Sequence, residues 1–344
     1  MEPGFLFGIA LMWQQWRTVS SPRGFRSFNR AGLRPMSGAI LPSGDLPMFL
    51  SVIVPTYRRP DTLAALLVEL CSQIALLGDD GAELIVVDNC PDRSAEPTVA
   101  EQAPGAVYVH EPRSGVVHAR NAGVRGSQGR YLVFIDDDQR PVPGWLESYR
   151  SLALLGHAAC FGPVYPTFEA PPPTPLRPLL EGLFSRDAKV PTGTDITDKR
   201  AYLGTGNSMF ERERCFVREA PFDPRFNRGG EDVWFLRELV QDRGLRLTWS
   251  TEAAVHENVP AARMTAAYVL HRRFRNGQLR CLVEAGGRNW GATAFWMVAG
   301  FAQTVIFGAG ALASLLVARP QAVAFSGRAA GGLGKVFWWV RPKA

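Results

Sequence analysis

Arg130-Tyr131-Leu132-Val133-Phe134-Ile135-Asp136-Asp137-Asp138 runs from an unbroken apolar segment straight into three carboxylates. Bounded by turn residues and rich in aromatic and β-branched side chains, the apolar part reads as a buried strand. In parallel α/β sheets ligands bind at the carboxyl ends of strands. Three carboxylates crowded there repel one another and cost stability unless something cationic binds. Hard oxygen donors suit Mg²⁺ or Mn²⁺. Such an ion would bridge to a diphosphate and stabilise it as a leaving group. The plainer reading is an acidic turn that caps the next helix.

The sequence on either side sets this strand in an alternating pattern. Leu50 to Val54, ending at Pro55, and Glu83 to Val87 read as buried strands, and Val107 to His110 as a third. Between the first two, Thr62 to Ile74 has helical spacing, with Asp61 placed to cap it. A short helix is expected over Val117 to Val124 and another over Trp145 to Leu155. Strands alternating with helices give an α/β fold with a mostly parallel sheet. Pro163 to Pro178 is proline-rich and is expected to be irregular, part of a long connection reaching Arg200. Order resumes at Leu203 to Phe210, a helix follows over Val233 to Asp242, and a short strand over Leu245 to Trp249.

Several residues at strand ends point to chemistry. Asp88 follows Val87 as Asp136 follows Ile135, so both acids face one crevice. Asp88 can accept from a base N–H or a ribose hydroxyl, or simply build a turn with Asn89 and Pro91. Pro55, Thr56 and Tyr57 end the first strand at the same crevice, where Thr56 and Tyr57 can line a nucleoside. Arg120 would sit one element before the triplet, able to meet a diphosphate or orient a carboxylate. Gly229-Gly230-Glu231-Asp232 lets backbone approach a ligand and then opens a helix with two acids. A general base needs such a carboxylate beside the acceptor hydroxyl, although Asp232 also suits a helix cap. His256 can complete a metal shell or be a structural histidine.

In this order, Ser51-Val-Ile-Val-Pro-Thr-Tyr57, Val86-Val-Asp88, Ala119-Arg-Asn-Ala-Gly123, Ile135-Asp-Asp-Asp138 and Gly230-Glu-Asp232 resemble glycosyltransferase family 2. Pro143-Gly-Trp145, Phe161-Gly-Pro163, Thr205-Gly-Asn207 and Phe222-Asp-Pro-Arg225 look like its succinoglycan-type glucosyltransferases. The resemblance spans about Leu50 to Glu284. It implies a GT-A fold, a nucleoside-diphosphate sugar donor (a UDP-sugar is expected), Mn²⁺ or Mg²⁺, and inversion at the anomeric carbon. It makes Asp88 the nucleobase contact, Asp136 and Asp138 the metal and ribose carboxylates with Asp138 the direct ligand, and Asp232 the base with Glu231 the alternate; Asp137, between the two, is expected to contact substrate. Processive members carry Gln-x-x-Arg-Trp. Here Gln278-Leu279-Arg280 lacks the tryptophan, which favours addition of a single sugar. A sugar nucleotidyltransferase would need a glycine-rich loop after the first strand, and Pro55-Thr-Tyr-Arg-Arg-Pro60 has no glycine. A non-catalytic membrane-associated protein of this fold would have little reason to keep Asp138, Asp232 and His256 together.

Composition narrows the partners. The formal net charge of +6 suits anionic ligands, but no aromatic-basic motif for nucleic acid is present. The five cysteines are dispersed, without a C-x-x-C pair, as expected of buried thiols in a reducing cytosol. Residues 1–47 read as a disordered or non-native extension, with Met48 a plausible true start. The catalytic domain is expected over 48–262 and a basic amphipathic helix over 263–290. Residues 291–344 read as a hydrophobic membrane-associated segment and basic tail. Gly291 to Ala318 contains no charge and is long enough to enter a bilayer. Basic flanks on both sides conflict with one simple crossing. Re-entry turning near Gly308-Ala309-Gly310, or an interfacial position, would keep both flanks cytoplasmic. A lipid-linked acceptor would then be met at the cytoplasmic face of the inner membrane.

Overall fold

The computed structural model describes residues 49–78, 81–227, 229–316 and 321–340. The extension expected over 1–47 and the tail cations Arg319, Arg341 and Lys343 lie outside the described residues. Strand β1 (Leu50–Thr56) is followed by helix α1 (Pro60–Ala75), β2 (Ala82–Asp88), α2 (Glu96–Gln102), β3 (Val107–His110), α3 (Val116–Gly126) and β4 (Tyr131–Ile135). Next come β5 (Gln139–Pro141), α4 (Trp145–Leu154), β6 (Ala159–Phe161), β7 (Val164–Phe168) and α5 (Arg177–Phe184). Then follow β8 (Asn207–Glu211), α6 (Arg212–Cys215), α7 (Glu231–Gln241), β9 (Thr248–Trp249) and β10 (Val255–Val259). The chain continues through α8 (Ala266–Gly286), α9 (Trp290–Leu316) and α10 (Ala322–Val336).

The main sheet runs β3-β2-β1-β4-β8-β6-β9. Its first four strands are parallel, and β8 lies antiparallel between β4 and β6. Side chains alternate across the sheet. Val52 and Val54 of β1 join the core formed with Leu63, Leu66, Leu67 and Leu70 of α1, while Ile53 joins Val117 of α3 and Phe235 of α7 on the other face. A residue in such a strand is covered whichever way it points, which is why the run is mainly apolar; the buried Ser51 hydroxyl is bonded to Glu83. The carboxyl ends of β1, β2 and β4 all emerge at one edge. A second sheet, β5-β10-β7, stands beside that edge.

Two motifs prominent in the sequence prove to be ties within this frame. Asn207 Oδ1 accepts from Trp145 Nε1 and the Tyr149 hydroxyl, each at 2.9 Å. Its Nδ2 donates to the carbonyls of Pro163 and Ala253. Asn121 exchanges two bonds with the backbone of Phe222. Buried amides need partners for every polar atom, so each side chain fixes several segments at once.

The structure corrects four local expectations. Helix α1 begins at Pro60, with no side-chain cap; Asp61 lies in its first turn. The proline-rich stretch is not wholly irregular: Val164–Phe168 forms β7, and Pro178 sits in the first turn of α5. Proline is tolerated at both places, since β7 is an edge strand and the first helical turn has spare N–H groups. Over Leu245 to Trp249 only Thr248 and Trp249 pair as a strand. Helix α9 continues unbroken through Gly308-Ala309-Gly310 to Leu316, and no turn forms at these glycines.

Helix α10 returns antiparallel to α9. Phe325 near its start packs on Phe307, and Lys335 near its end bonds Gln303 and lies over Trp296. Close approach to α8 requires glycine. A β-carbon on Gly277 would stand 2.1 Å from the Gly331 carbonyl oxygen, and one on Gly334 2.0 Å from that of Phe274.

Candidate active site

The acidic triplet follows β4 directly, and its three carboxylates have different surroundings. Asp137 is buried. Its Oδ2 accepts from the Thr56 hydroxyl at 2.8 Å and from Tyr57 N–H, and its Oδ1 meets Arg59 Nη1 at 2.7 Å. The same Arg59 nitrogen lies 2.8 Å from Asp138 Oδ2, and Arg263 is 3.8 Å from that oxygen. Asp136 is more open and lies 3.5 Å from Arg120 Nη2. Burial pushes the Asp137 and Asp138 carboxyls upward, and for Asp138 the nearby Asp136 charge adds to the rise. The repulsion between Asp136 and Asp138 would be relieved by a cation.

Across the crevice, Gly230 adopts φ +90°, a conformation costly for other residues, and turns the chain into α7. Glu231 and Asp232 open that helix. Glu231 is buried and pairs with Arg120 Nη1 at 2.8 Å, while its other oxygen has no protein partner. Burial, reinforced by the Asp232 charge, raises the Glu231 carboxyl. Asp232 is half-buried, with Oδ1 bonded to Val233 N–H. The segment Gly204-Thr205-Gly206 runs between the two acidic groups. A β-carbon on Gly206 would stand 2.1 Å from Asp136 Oδ2, and one on Gly204 3.4 Å from Asp232 Oδ2. Only glycine allows residue 206 this close to Asp136.

Arg120, Asp136, Asp138, Glu231 and Asp232 are thus brought to one crevice, but other expected residues take different parts. Asp88 is completely buried and offers no free acceptor to a base. Its Oδ1 bonds Cys90 N–H, and its Oδ2 bonds Ala95 N–H and the Tyr108 hydroxyl. Thr56 is buried and its hydroxyl is spent on Asp137, and Asp137 is itself enclosed by Thr56, Tyr57 and Arg59. Pro55 is half-buried opposite Val87, and Tyr57, 44% exposed, is the open residue of that loop. His256 is exposed and packs beside the Tyr165 ring, so it does not join a metal shell with Asp138.

The strand period explains His256, because neighbours on β10 point to opposite faces. Glu257 is the residue that turns inward. It is paired opposite Gln139, whose side chain accepts from Asp136 N–H, and its electrostatic neighbours are Arg186, Asp138, Asp136 and Arg263. Burial, with Asp138 and Asp136 adding to it against the two arginines, raises the Glu257 carboxyl to about 7. The sequence signal was present, one position beyond the histidine that drew attention.

This pKa fixes a pH dependence. The folded chain holds a proton on Glu257 that the unfolded chain releases near the ordinary carboxyl value. That contribution to stability is therefore complete at low pH and is lost as pH rises through about 7. In metal-free protein, Glu257→Gln should melt progressively higher than wild type between pH 5 and 8, by up to about 3 kcal/mol in stability. Parallel melting curves for the two proteins across that range would refute the placement.

Beside Asp138 lies a cavity of about 300 Å³, lined in part by Arg58, Arg59, Asp61 and Arg263. Arg58, at φ +53°, bonds Asp92 and Cys90 and lies over the Tyr57 ring. Three guanidinium groups around one opening favour an anionic ligand. Among the described residues, no three His, Cys, Asp or Glu side chains gather closely enough to hold a metal ion unaided. The donors nevertheless fit Mg²⁺ or Mn²⁺, which commonly bind one or two carboxylates and complete their shell with substrate phosphate and water. Arg59 already places positive charge between Asp137 and Asp138.

Residues 51–213 match the model of glycosyl transferase family 2. The succinoglycan biosynthesis protein ExoM of Rhizobium meliloti is 32% identical over 239 residues, covering 67% of this chain and 74% of that protein. The chain belongs to glycosyl transferase family 2. Glycosyltransferase AglE of Haloferax volcanii is 26% identical over 264 residues, 74% of this chain and 81% of its own. The mannosyltransferase PcManGT of Pyrobaculum calidifontis, solved with GDP-Man and Mn²⁺, superimposes with a TM-score of 0.53 at 19% identity, covering 95% of both chains. At that identity the likeness shows a shared GT-A-like fold. The family match includes Thr56 to Asp138, whereas Glu231, Asp232 and Glu257 lie beyond it. Their assignment rests on geometry.

Proposed function

We propose that this glycosyltransferase moves a single sugar from a nucleoside-diphosphate sugar to an acceptor hydroxyl, with inversion at the anomeric carbon. The observation that carries the reading is the Arg120 bridge. One guanidinium binds Asp136 at the end of β4 and Glu231 at the start of α7, which sets the acidic triplet and Asp232 on two sides of one crevice. Asp232, the more open acid, takes the proton of the acceptor hydroxyl. The acceptor oxygen bonds to the anomeric carbon as the bond to the diphosphate breaks, and the electron pair leaves with the diphosphate. The transition state resembles an oxocarbenium ion, as in other glycosyl transfers. Arg58, Arg59 and Arg263 draw the diphosphate to the cavity, and Tyr57 is open to the nucleoside. Asp138 would hold Mn²⁺ or Mg²⁺ together with phosphate oxygens and water, and the ion would neutralise the departing diphosphate.

A single transfer agrees with the fate of Gln278, whose amide is bonded to the carbonyls of Phe337 and Val340 rather than aimed at a sugar chain. A lipid-linked saccharide in cell-surface polysaccharide synthesis is the acceptor class that fits both the ExoM likeness and the apolar α9. Such an acceptor, and the cytosolic nucleotide sugar, would be met at the cytoplasmic face of the inner membrane.

The reading is tested by nucleotide release from a panel of UDP-, GDP- and dTDP-sugars, with and without Mn²⁺, in the presence of membrane lipid extract. One donor should give Mn²⁺-dependent release of nucleoside diphosphate and a product of inverted configuration. A product of retained configuration would remove the single-displacement scheme. Pyrophosphate formed from nucleoside triphosphate and sugar phosphate would identify a nucleotidyltransferase instead.

A further inference from the structure

Helix α8 is fastened to the catalytic domain along its whole length. Near its start, Tyr268 stacks on Phe184 of α5, and Val269 shares a buried cluster with Val259 of β10. Near its end, Glu284 pairs with Arg237 of α7 at 3.0 Å, and Arg225 Nη1 donates to the Gly286 carbonyl. With 21 residues the helix is roughly 30 Å long, so it lies along the domain and does not project from it. Helix α10 runs beside α8 in the same direction. Gly327 faces Val269 and Arg273, Gly331 faces Gly277, and Phe337 is bonded to Gln278. Helix α9 packs antiparallel to α10 and inherits the same axis. A bilayer-crossing α9 would stand along the membrane normal and carry α8, with the domain fixed to it, into the hydrocarbon.

The free face of α9 is nonetheless unlike a water-facing one. Its exposed positions from Ala294 to Leu315 include Phe295, Val298, Phe301, Val305, Ile306 and Leu312, and not one is polar. Val298 is 71% exposed and Phe301 64%. A soluble helix presents charged and polar side chains there, and an apolar surface this long marks a contact. The charge around it is equally one-sided. From Ala266 to the end of the sequence there are ten Arg and Lys residues and one acid, Glu284, which is already paired. Aromatic side chains gather where α9 begins and α10 ends: Trp290, Phe337 and Trp339 are all exposed. Such residues sit at membrane–water boundaries.

We propose that α9 lies in the plane of the membrane surface, its apolar face sunk among the acyl chains of one leaflet and the basic residues around it meeting anionic headgroups. The inference rests on the membrane part of the reading above and fixes its geometry: the α8–α10 layer is an interfacial platform that crosses nothing. Helices of this kind bury an apolar face roughly 5–10 Å deep and gain further attraction from anionic lipid.

The full chain is mixed with vesicles of phosphatidylcholine alone or with 30% phosphatidylglycerol (about one lipid in three, enough to give a clear negative surface potential) and floated on a density gradient. It should float, and more completely with phosphatidylglycerol. Failure of wild type to float would remove both the membrane reading and this inference. Depth is measured separately, with a nitrobenzoxadiazole label on Val298→Cys, Val305→Cys or Leu312→Cys and lipids quenched at shallow or deep acyl positions. All three labels should report one shallow depth. A graded series, with one end deep and the other shallow, would overturn the in-plane arrangement while leaving membrane binding intact. Val305→Asp, at an exposed site that does not threaten folding, should cut partitioning at least about tenfold, the equivalent of one lost aliphatic burial. Unchanged partitioning would overturn the assignment of this face.

Discussion

Asp138→Ala is expected to abolish sugar transfer and, in calorimetry, to remove Mn²⁺ binding, while the protein still folds. The carboxylate has no substitute at its position. Asp137 is enclosed by Thr56, Tyr57 and Arg59, and Asp136 is drawn toward Arg120 on the other side of the crevice. The strand pairing that places residue 138 uses its main chain, through the bond from Asn258 N–H to the Asp138 carbonyl, and this survives the substitution. Loss of activity with an unchanged melting temperature would therefore report the side chain alone. Without Asp138, Arg59 and Arg263 are freed of their shared acceptor and are the charges left facing a diphosphate. Full activity in EDTA, or in the variant, would mean that these arginines neutralise the diphosphate unaided, and the metal would drop out of the mechanism.

How much of this was legible beforehand depended on whether the physical signal was local. The parallel half of the sheet was, because strands covered on both faces are apolar along most of their length, as β1, β2 and β4 are; these and the edge strand β3 stand within a residue or two of where they were expected. Strand β7 was hidden because it contains Pro166, and only its place at the edge of the small sheet makes that proline tolerable. The acids at strand ends were read as a group, but which of them face outward depends on contacts from 2 to 81 residues away. Asp88 looked like Asp136 in sequence, yet Tyr108 and the Cys90 and Ala95 amides enclose it. His256 and Glu257 differ by one position on a strand, enough to exchange solvent for the site. No local pattern announces Arg59 as the partner of two aspartates, since that contact exists only once β1 and β4 are side by side. The reversal after α9 was expected at the glycines of 308–310, which instead stay helical. Gly310 lies within the helix and faces the Phe325 ring of α10.

Asp232→Asn is expected to lower turnover by about 10²- to 10⁴-fold, the usual contribution of a general base, with donor binding nearly unchanged. The two acids at the start of α7 are adjacent but not equivalent. Glu231 is buried and spends one oxygen on Arg120, so its work is to hold the guanidinium that also reaches Asp136. Asp232 is more accessible, and only one of its oxygens is used, on the Val233 amide of its own helix. The amide of Asn keeps that hydrogen-bond acceptor but cannot take a proton, so helix and fold should persist while the chemistry fails. Glu231→Gln is the informative companion. It removes the charge opposing Arg120 in a buried pair, and breaking such a pair costs about 3–5 kcal/mol. Its expected signature is a lower melting temperature with a smaller loss of turnover than Asp232→Asn. Measuring kcat, donor affinity and melting temperature for both variants separates the roles. If Glu231→Gln is inactive at full stability while Asp232→Asn turns over normally, the base is Glu231, and Arg120 must then release it when the acceptor binds.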